Sequence, residues 1–524
     1  MIAARRIITN TLATYLKFLV LALTGLFAVP VALRTLGAVD YGIFSVIGGC
    51  LAFLMFLNYS FATAAQRHIA YALGEEGKEE AAKWFTTSLI VHLVVAAIIA
   101  GSALLASGWI LHHLLTLPAA RLAAAAWIYR MVVVTMVCNV LATPYQALLI
   151  AHEAIASMSL MNIGSGVFLL VAIFCLKYLP GDALLWYAAI YCLFQVSVAV
   201  GPACYSYYRY PESRFLSLTV DQLRRRLREL FNFSGWSLLQ ILAVLARVQG
   251  PAVLLNIFFG PIANAAYGLA VQVQGFASNI VWGFLGSATP QIVKRQASGD
   301  YGGMARLSNQ SNTYGFAILW IVLAPVLFEM GLCLKLWLHT PPPSTAAFLL
   351  PVLIALIIDQ LTLGYNLTVV ATGRIAGFSV VTSIANIVGL PAGYFFLRHG
   401  RPGTWLLWAV VAGAVVAGCG RLWFARRHAT ISIRNWLSKV LFPASLSVLA
   451  SVLVALALVH FLSDGLARFA LIAAANCAAV CLIMWFFGTT AEQRAKLRAL
   501  AASLPVRLSA KPAAQGRGVA GETL

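Results

Sequence analysis

The stretch YPESRFLSLTVDQLRRRLREL at residues 210–230 holds the densest run of charge in the chain, with five arginines among spaced leucines. Thr219 and Gln222, three residues apart, form the pattern of a helix-capping box. Leu223 and Leu227 follow one turn apart, which predicts a short helix lying on a membrane surface. An ordinary solvated basic loop is the alternative. On either interpretation the stretch is a linker between two apolar half-chains of similar length.

The composition is that of a protein that crosses a membrane many times. Of the 524 residues, 61% are hydrophobic and only 10% are charged, whereas soluble proteins carry about 25% charged residues. In a soluble protein the formal net charge of +20 would suggest nucleic-acid binding. Here the basic residues lie in loops beside apolar segments, which is typical of cytoplasmic anchoring, so no nucleic-acid partner is expected.

Apolar segments recur along the whole chain. A membrane-spanning helix needs about 20 apolar residues, and about fourteen such helices are predicted. They lie near residues 8–33, 41–65, 85–111, 122–150, 155–178, 184–208, 231–258, 265–288, 313–337, 346–371, 376–397, 404–424, 437–462 and 467–487. If the N-terminus is cytoplasmic, most Lys and Arg fall on the inner side, including Arg421 at the inner end of its helix. This bias predicts that both termini are cytoplasmic.

The two halves of the chain repeat each other. Leu-Gly followed by Asp-Tyr-Gly at residues 36–42 matches Phe-Gly followed by Ala-Tyr-Gly at residues 259–268, and two further matches lie at nearly the same offset. This pattern indicates duplication of a six-helix unit. Because the unit has an even number of helices, the repeats are parallel and related by an axis along the membrane normal. Chance matching of common membrane residues is the alternative.

These patterns predict an all-α integral membrane protein with two pseudo-symmetric six-helix lobes and two C-terminal helices. An N-terminal lobe covers residues 1–208 and a cytoplasmic amphipathic linker covers 209–230. A C-terminal lobe covers residues 231–424, and two extra transmembrane helices cover 425–487. Residues 488–524 form a cytoplasmic tail that is polar and expected to be partly disordered.

Ionisable residues inside membrane helices indicate function, because each costs about 2.5–3.5 kcal/mol on insertion scales. Lys17 lies mid-helix on one face with Asn10 and Thr14. Alignment of the repeats places Arg247 on the equivalent face of the first helix of the second half, with Gln240 opposite Lys17. Both cations are therefore expected to line one central cavity. Snorkelling of Lys17 to the interface is the alternative.

Asp359 is a candidate for ion coupling. It lies deep in its predicted helix, with Thr362 and Asn366 on its face, and its repeat partner is Asn139. A carboxylate at this depth either carries a proton or pairs with a cation. Structural pairing with Arg247 is therefore an equal alternative.

Arg130 is a weaker cavity candidate. It precedes Asn139 by nine residues, which places it on the opposite face of a straight helix and favours snorkelling. With Lys17 and Arg247 against Asp359, the cavity nevertheless has a cationic surplus that suits a phosphate or diphosphate group. The candidate substrate-binding residues are Lys17, Arg247, Arg130, Gln240 and Asn139.

Several other classes of site lack their motifs. There is no Walker A loop and no nucleotide-binding domain, which excludes transport driven by an ATPase within this chain. None of the nine cysteines forms a C-x-x-C pair, and no His/Cys cluster has metal-ligand spacing, so neither metal nor cofactor is expected. No long outer loop carries the paired carboxylates that a glycosyltransferase using a lipid donor would need.

Three stretches resemble the polysaccharide transporter family of Wzx-type flippases. They are LRTLGAVDYGIF at 33–44, ATAAQRHIAYALGEEGKEEAA at 62–82 and TPQIVKRQASGDYGGMARL at 289–307, and the resemblance covers about residues 1–490. The superfamily also holds multidrug (MATE) exporters and lipid II flippases. The resemblance implies two lobes in a V, alternating access, and cavity cations such as Lys17 and Arg247 that hold a diphosphate.

The substrate implied by this resemblance is a polyprenyl-diphosphate-linked oligosaccharide, flipped across the bacterial inner membrane for O-antigen or other surface polysaccharide. Candidate partners are membrane lipids, a polysaccharide polymerase, glycosyltransferases and a proton or Na⁺ gradient. A cation-coupled multidrug exporter is the alternative within the superfamily. From another class, the alternative is a membrane-embedded glycan polymerase or ligase.

Overall fold

The computed structural model describes residues 2–372, 375–429, 431–489 and 494–495, and its regular elements there are all helical. Most of the predicted tail, 488–524, therefore lies outside the described residues. The α-helices are α1 (Ile2–Ala52), α2 (Phe56–Tyr71), α3 (Lys78–Trp109), α4 (Leu122–Ala151), α5 (Ile155–Cys175), α6 (Ala183–Arg209), α7 (Val220–Ala297), α8 (Tyr301–Phe328), α9 (Met330–Leu338), α10 (Thr345–Gln360), α11 (Leu363–Ala371), α12 (Ala376–Ile387), α13 (Gly389–Arg398), α14 (Thr404–Ala429), α15 (Ile433–Trp436), α16 (Phe442–Phe461) and α17 (Leu466–Ile483).

Length and composition confirm an all-α membrane architecture. In the described part of the chain, eleven helices are long and apolar enough to cross a membrane, or twelve if the bent pair α10–α11 is one span. The count of fourteen stays a prediction. Two of the eleven, Leu12–Gly74 and Leu238–Trp282, run for 63 and 45 residues. At 1.5 Å per residue both exceed one crossing of a hydrocarbon core about 30 Å thick.

Each of these long helices is interrupted at a glycine. Gly37 breaks α1 with φ 78°, and Gly260 breaks α7 with φ 75°. A side chain disfavours this left-handed region, so glycine lets one helix end and the next begin without a loop. These are the two glycines that the sequence repeat aligns.

The membrane helices pack into two groups, α1–α6 and α7–α14, which we call the first and second lobes. In the first, a buried cluster around Ile47, Ile99 and Ile128 joins α1, α3 and α4. In the second, a cluster around Tyr365 and Phe378 joins α11 to α12 and α14. The residue limits predicted for the domains stay predictions.

Helix α7 begins in the charged stretch and continues into the second lobe. The predicted capping box is confirmed, because Thr219 Oγ1 accepts from the backbone N–H of Gln222 while Gln222 Oε1 accepts from that of Thr219. Arg226 forms an ion pair with Glu80 and lies 4.8 Å above the Trp84 ring of α3. The start of α7 is therefore docked on the first lobe.

Helices α16 and α17 are held on α8 of the second lobe by buried polar groups. Trp320 Nε1 donates to Ser451 Oγ at 2.9 Å, and Ser451 Oγ donates to Asn476 Oδ1 at 2.5 Å. Arg468 forms a bidentate pair with Glu329, with distances of 2.5 and 2.8 Å. Polar side chains thus join helices that lipid alone would not drive together.

The two lobes approach each other closely beside the glycine breaks. A Cβ atom on Gly42 would collide with the backbone carbonyl of Pro261, and one on Gly268 would collide with Ser45 Oγ. Small residues of this kind let membrane helices approach to backbone contact. Gly42 and Gly268 are the second glycines of the two repeated motifs, so each repeat presents a glycine to the other lobe.

Hydrogen bonds join the lobes in the same region. The backbone N–H of Thr116 donates to Asn256 Oδ1 at 2.7 Å, and Trp337 Nε1 donates to the carbonyl of Leu26 at 2.8 Å. Arg34 also donates to His339 Nδ1. We call these three contacts and the approach of Gly42 to Pro261 the clasp. With a cytoplasmic N-terminus, as predicted, the clasp lies on the outer side.

Replacement of Gly42 by alanine tests the close approach. The added methyl group meets the backbone of Pro261, which cannot rotate away, and overpacking of this kind costs about 1–3 kcal/mol. We expect Gly42→Ala to loosen the clasp, so that the backbone amide of Thr116 exchanges with deuterium faster than in the wild type. Mass spectrometry of the exchanged peptides measures this.

Gly48→Ala is the matched control in the same helical segment, because nothing lies within 4 Å of a Cβ atom built there. Its amide exchange should equal that of the wild type. Wild-type exchange in Gly42→Ala as well would mean that the clasp does not depend on the contact with Pro261.

Candidate functional site

A cavity of about 650 Å³ lies between the lobes, next to the clasp. We call it the central cavity; α1, α2 and α4–α6 of the first lobe and α7 of the second line it. Amide and hydroxyl groups make its lining partly polar, and the lining residues include no charged side chain. These polar residues include Thr24, Asn139, Gln195, Gln249, Tyr267 and Gln272. The volume lies in the range of about 300–1,000 Å³ typical of ligand sites.

Two uncharged residues of the predicted site differ in their placement. Asn139 lines the central cavity, and its Nδ2 donates to the carbonyl of Thr135 one turn earlier at 2.8 Å. Gln240 is half-buried on α7 and lies outside the lining of the cavity. Asn139 is therefore in reach of a ligand in the cavity.

Lys17 lies outside the lining of the central cavity, one turn of α1 before Leu21, which is the lining residue of α1 furthest from Gly42. It shares a helix face with Leu21 and Thr24, which line the cavity four and seven residues further on. Four residues of α-helix separate Lys17 from Leu21 by about 6 Å along the axis. The ammonium group is 4.7 Å from the centroid of the Phe18 ring, and no acidic residue in the described part of the chain pairs with it.

Arg247 and Asp359 lie together inside the second lobe. Arg247 of α7 pairs with one oxygen of Asp359 of α10 and donates to Asn386 Oδ1 of α12 at 3.0 Å. Arg421 of α14 donates to the other oxygen of Asp359 at 2.8 Å and to Thr362 Oγ1 at 3.3 Å. Guanidinium groups thus engage both carboxylate oxygens. We call Arg247, Asp359 and Arg421 the arginine–aspartate cluster.

The arginine–aspartate cluster is buried and carries one net positive charge. The three side chains are only 9–11% exposed. None of them lines the central cavity, but Tyr267 of the cavity wall donates to the carbonyl of Val248, the neighbour of Arg247, at 2.7 Å. The cluster therefore stands directly behind the wall of the cavity.

Sequence reasoning missed Arg421, which was assigned to the inner end of its helix. The structure buries it because α14 continues for two more turns, to Ala429. Leu422 and Phe424, which follow Arg421, are buried in the core of the second lobe. Apolar residues after a charge in a helix were the available signal that the charge lies inside the protein.

Arg130 is on an exposed face of α4. Its guanidinium lies 5.3 Å from the centroid of the Trp127 ring, and Trp127 is itself 54% exposed. Neither residue is part of the lining of the central cavity. Of the predicted site residues, Asn139 thus lines the cavity, Lys17 and Gln240 lie outside its lining, Arg247 and Asp359 are behind its wall, and Arg130 is on an exposed face.

Comparison with known families identifies a match over the first part of the chain. The family model described as "Polysaccharide biosynthesis protein" matches residues 4–296, which is more than half of the chain. The matched segment includes the stretches at residues 33–44 and 62–82. A search of curated proteins found no match to the sequence.

Several solved transporter structures share the fold. An inward-facing multidrug resistance MATE transporter of the MOP superfamily has 14% identity over 78% of this chain and 95% of its own, with a TM-score of 0.65. The lipid II flippase MurJ, inward closed, has 12% identity over 92% and 98%, with a TM-score of 0.63. A MOP superfamily transporter from Pyrococcus furiosus Vc1, described by a reverse polarity of its binding pocket, has 14% identity over 79% and 96%, with a TM-score of 0.55.

At these identities the similarity shows the fold, which is that of MOP-superfamily transporters and flippases rather than of enzymes. The family match supplies the relationship that the fold alone does not. The chain therefore belongs to the polysaccharide biosynthesis protein family.

Proposed function

We propose that the protein flips a polyprenyl-diphosphate-linked oligosaccharide across the membrane by alternating access. The observation that supports this most is the central cavity, which has partly polar and uncharged walls, a clasp beside it and Lys17 one turn of α1 beyond its lining. Amides and hydroxyls such as those of Asn139 and Gln272 can bond sugar hydroxyls. An ammonium group is a point charge that suits a diphosphate.

The charges of the described residues favour an anionic ligand over a cationic one. Lys17 has no acidic partner there, and the arginine–aspartate cluster adds one positive charge behind the wall. A buried ammonium in a membrane is costly unless water or a counter-ion reaches it, and a diphosphate would supply that counter-ion. A cationic drug would meet no free carboxylate in the cavity lining, which argues against the multidrug exporter.

For Asp359 we propose a structural role in place of ion coupling. A proton or Na⁺ site needs an available carboxylate oxygen, whereas Arg247 and Arg421 engage both oxygens of Asp359. Coupling through this residue would require the cluster to break in every cycle. Because four helices of the second lobe converge on the cluster, such a break would disturb their packing.

Both termini are proposed to be cytoplasmic, in a bacterial inner membrane. The arginines of the linker support this orientation, because Lys and Arg favour the cytoplasmic side. The linker begins beside the N-terminal end of α1, since Tyr210 stacks on His152 while Asn10 donates to the carbonyl of Glu153. The reactions that supply the substrate would be glycosyl transfers onto a lipid diphosphate. Those that consume it would polymerise or transfer the glycan.

Lys17→Ala should lower transport of the lipid-linked oligosaccharide by about tenfold to a hundredfold. The reason is that a hydrogen bond to a charged group contributes about 1.5–3 kcal/mol, and each 1.4 kcal/mol is tenfold in affinity. Lys17→Arg keeps the charge and should retain most of the transport. Transport is measured in proteoliposomes that contain the purified protein. The quantity measured is the fraction of the oligosaccharide that becomes protected from a glycosidase added outside.

Arg130→Ala is the control for Lys17, because it removes a membrane-embedded cation from an exposed face. It should transport like the wild type. Full transport by Lys17→Ala would refute the diphosphate site, and export of a cationic drug in its place would favour the multidrug exporter.

Asp359→Asn should lower the thermal midpoint of the purified protein. It leaves two buried guanidinium groups without a counter-ion, and breaking a buried ion pair costs about 3–5 kcal/mol. Addition of Arg247→Gln should restore part of the loss, because it removes one unpaired charge. Thermal unfolding in detergent gives the midpoints of the wild type, of Asp359→Asn and of the double variant.

The control for Asp359 is Asp182→Asn, which breaks a partly exposed pair with Arg121 at 2.8 Å. The thermal midpoint of this variant should shift little, since exposed ion pairs contribute about 0–1 kcal/mol to stability. The structural role is wrong if Asp359→Asn keeps wild-type stability while its transport no longer responds to a proton or Na⁺ gradient.

A further inference from the structure

A second cavity, of about 690 Å³, lies beside the central cavity. We call it the groove. It lies between the lobes, with α1, α3 and α4 on one side and α7 and α13 on the other. Its lining is almost entirely apolar and includes Leu51, Phe53, Leu54, Val253, Leu254 and Leu390.

The groove and the central cavity share part of their lining. Gly49 of α1 and Gln249 of α7 line both. They are in contact, because a Cβ atom on Gly49 would lie 2.8 Å from Gln249 Oε1. A partly polar compartment and an apolar compartment of similar size are thus separated by little more than one side chain.

Counted along α7, both compartments fall at the depth expected for the hydrocarbon core. Gln249 and Val253 precede the break at Gly260 by eleven and seven residues, which places them about 10–17 Å from that end of the helix. The hydrocarbon core is about 30 Å thick. An apolar chain in the groove would therefore be at the same depth as the lipid chains around the protein.

Helices on both sides of the groove are interrupted at its level. A 3₁₀ turn at Phe53–Met55 separates α1 from α2, and the boundary between α12 and α13 falls at Val388, two residues before Leu390. A short 3₁₀ stretch within a longer helix is often a hinge. Because both lobes line the groove, its shape depends on how the lobes are arranged.

We propose that the groove holds the prenyl chain of the substrate while the diphosphate and sugars occupy the central cavity. This inference rests on the proposed function. A carrier of an amphiphile must keep the chain in apolar surroundings while the head group is in a polar site, because exposure of the chain to water is unfavourable. Adjacent compartments that share Gly49 and Gln249 meet both requirements at once.

The test is photo-cross-linking of the full-length protein in proteoliposomes with two probes. Both are polyprenyl-diphosphate-linked oligosaccharides, one with a diazirine on the prenyl chain and one with a diazirine on the first sugar. The chain probe should label residues 50–54 and 253–254, and the sugar probe should label residues 131–139 and 267–272. Excess unlabelled substrate should suppress both.

Val253→Trp fills the groove and should reduce labelling by the chain probe about tenfold, which corresponds to 1.4 kcal/mol of binding. Val244→Trp is the matched control on the same helix. The two positions are nine residues apart and so point in opposite directions, and Val244 is 48% exposed. It should label like the wild type. Val253→Phe is a second groove-filling variant if Val253→Trp does not fold, because Val253 lines the groove and not the central cavity.

Other outcomes separate this inference from the proposed function. Labelling of α16 or α17 by the chain probe, with the sugar probe still in the central cavity, would overturn the groove and leave the function standing. A phospholipid diazirine that labels the groove and is not displaced by substrate would make it a membrane-lipid site, which also overturns the inference. If neither probe gives labelling that excess unlabelled substrate suppresses, the proposed function is overturned as well.

Discussion

The structure depends on the close approach of the two lobes beside the glycine breaks, where Gly42 meets Pro261 and Gly268 meets Ser45. Lipid is as apolar as a leucine side chain, so membrane helices associate through tight packing and polar contacts. Glycine provides the packing, and Thr116 with Asn256 provides hydrogen bonds nearby. Because the lobes meet there, a polar cavity can exist beside the contact within the membrane.

The distribution of charge follows from the same constraint. The lining of the central cavity is uncharged, and Arg247, Asp359 and Arg421 of the second lobe are buried behind it in the arginine–aspartate cluster. A buried ion pair adds little net stability, but the loss of one partner is costly. The cluster therefore fixes the positions of the helices that carry Arg247, Asp359, Asn386 and Arg421. One positive charge remains in excess and, with Lys17, favours an anion.

Features carried by neighbouring residues could be predicted from the sequence. The helical membrane fold, the capping box at Thr219 and the ends of predicted helices near Gly37 and Gly260 are local, because hydropathy and hydrogen-bonding groups act over a few residues. Contacts between segments that are distant in the sequence were harder to predict. The partner Arg421 is 62 residues from Asp359, and Arg247 faces the lobe interior because packing fixes the rotation of α7 about its axis. The groove has no signature in either lobe alone.

The path of α7 has a mechanical consequence. Arg226, near its start, is docked on Glu80 of the first lobe, and the same helix continues without a loop into the second. A loop would let the lobes turn freely, whereas an intact helix resists bending because its backbone hydrogen bonds must lengthen or break. The connection therefore resists bending elastically. Any change in the angle between the lobes has to bend the helical segment that joins them, which stores energy and favours return to the original angle.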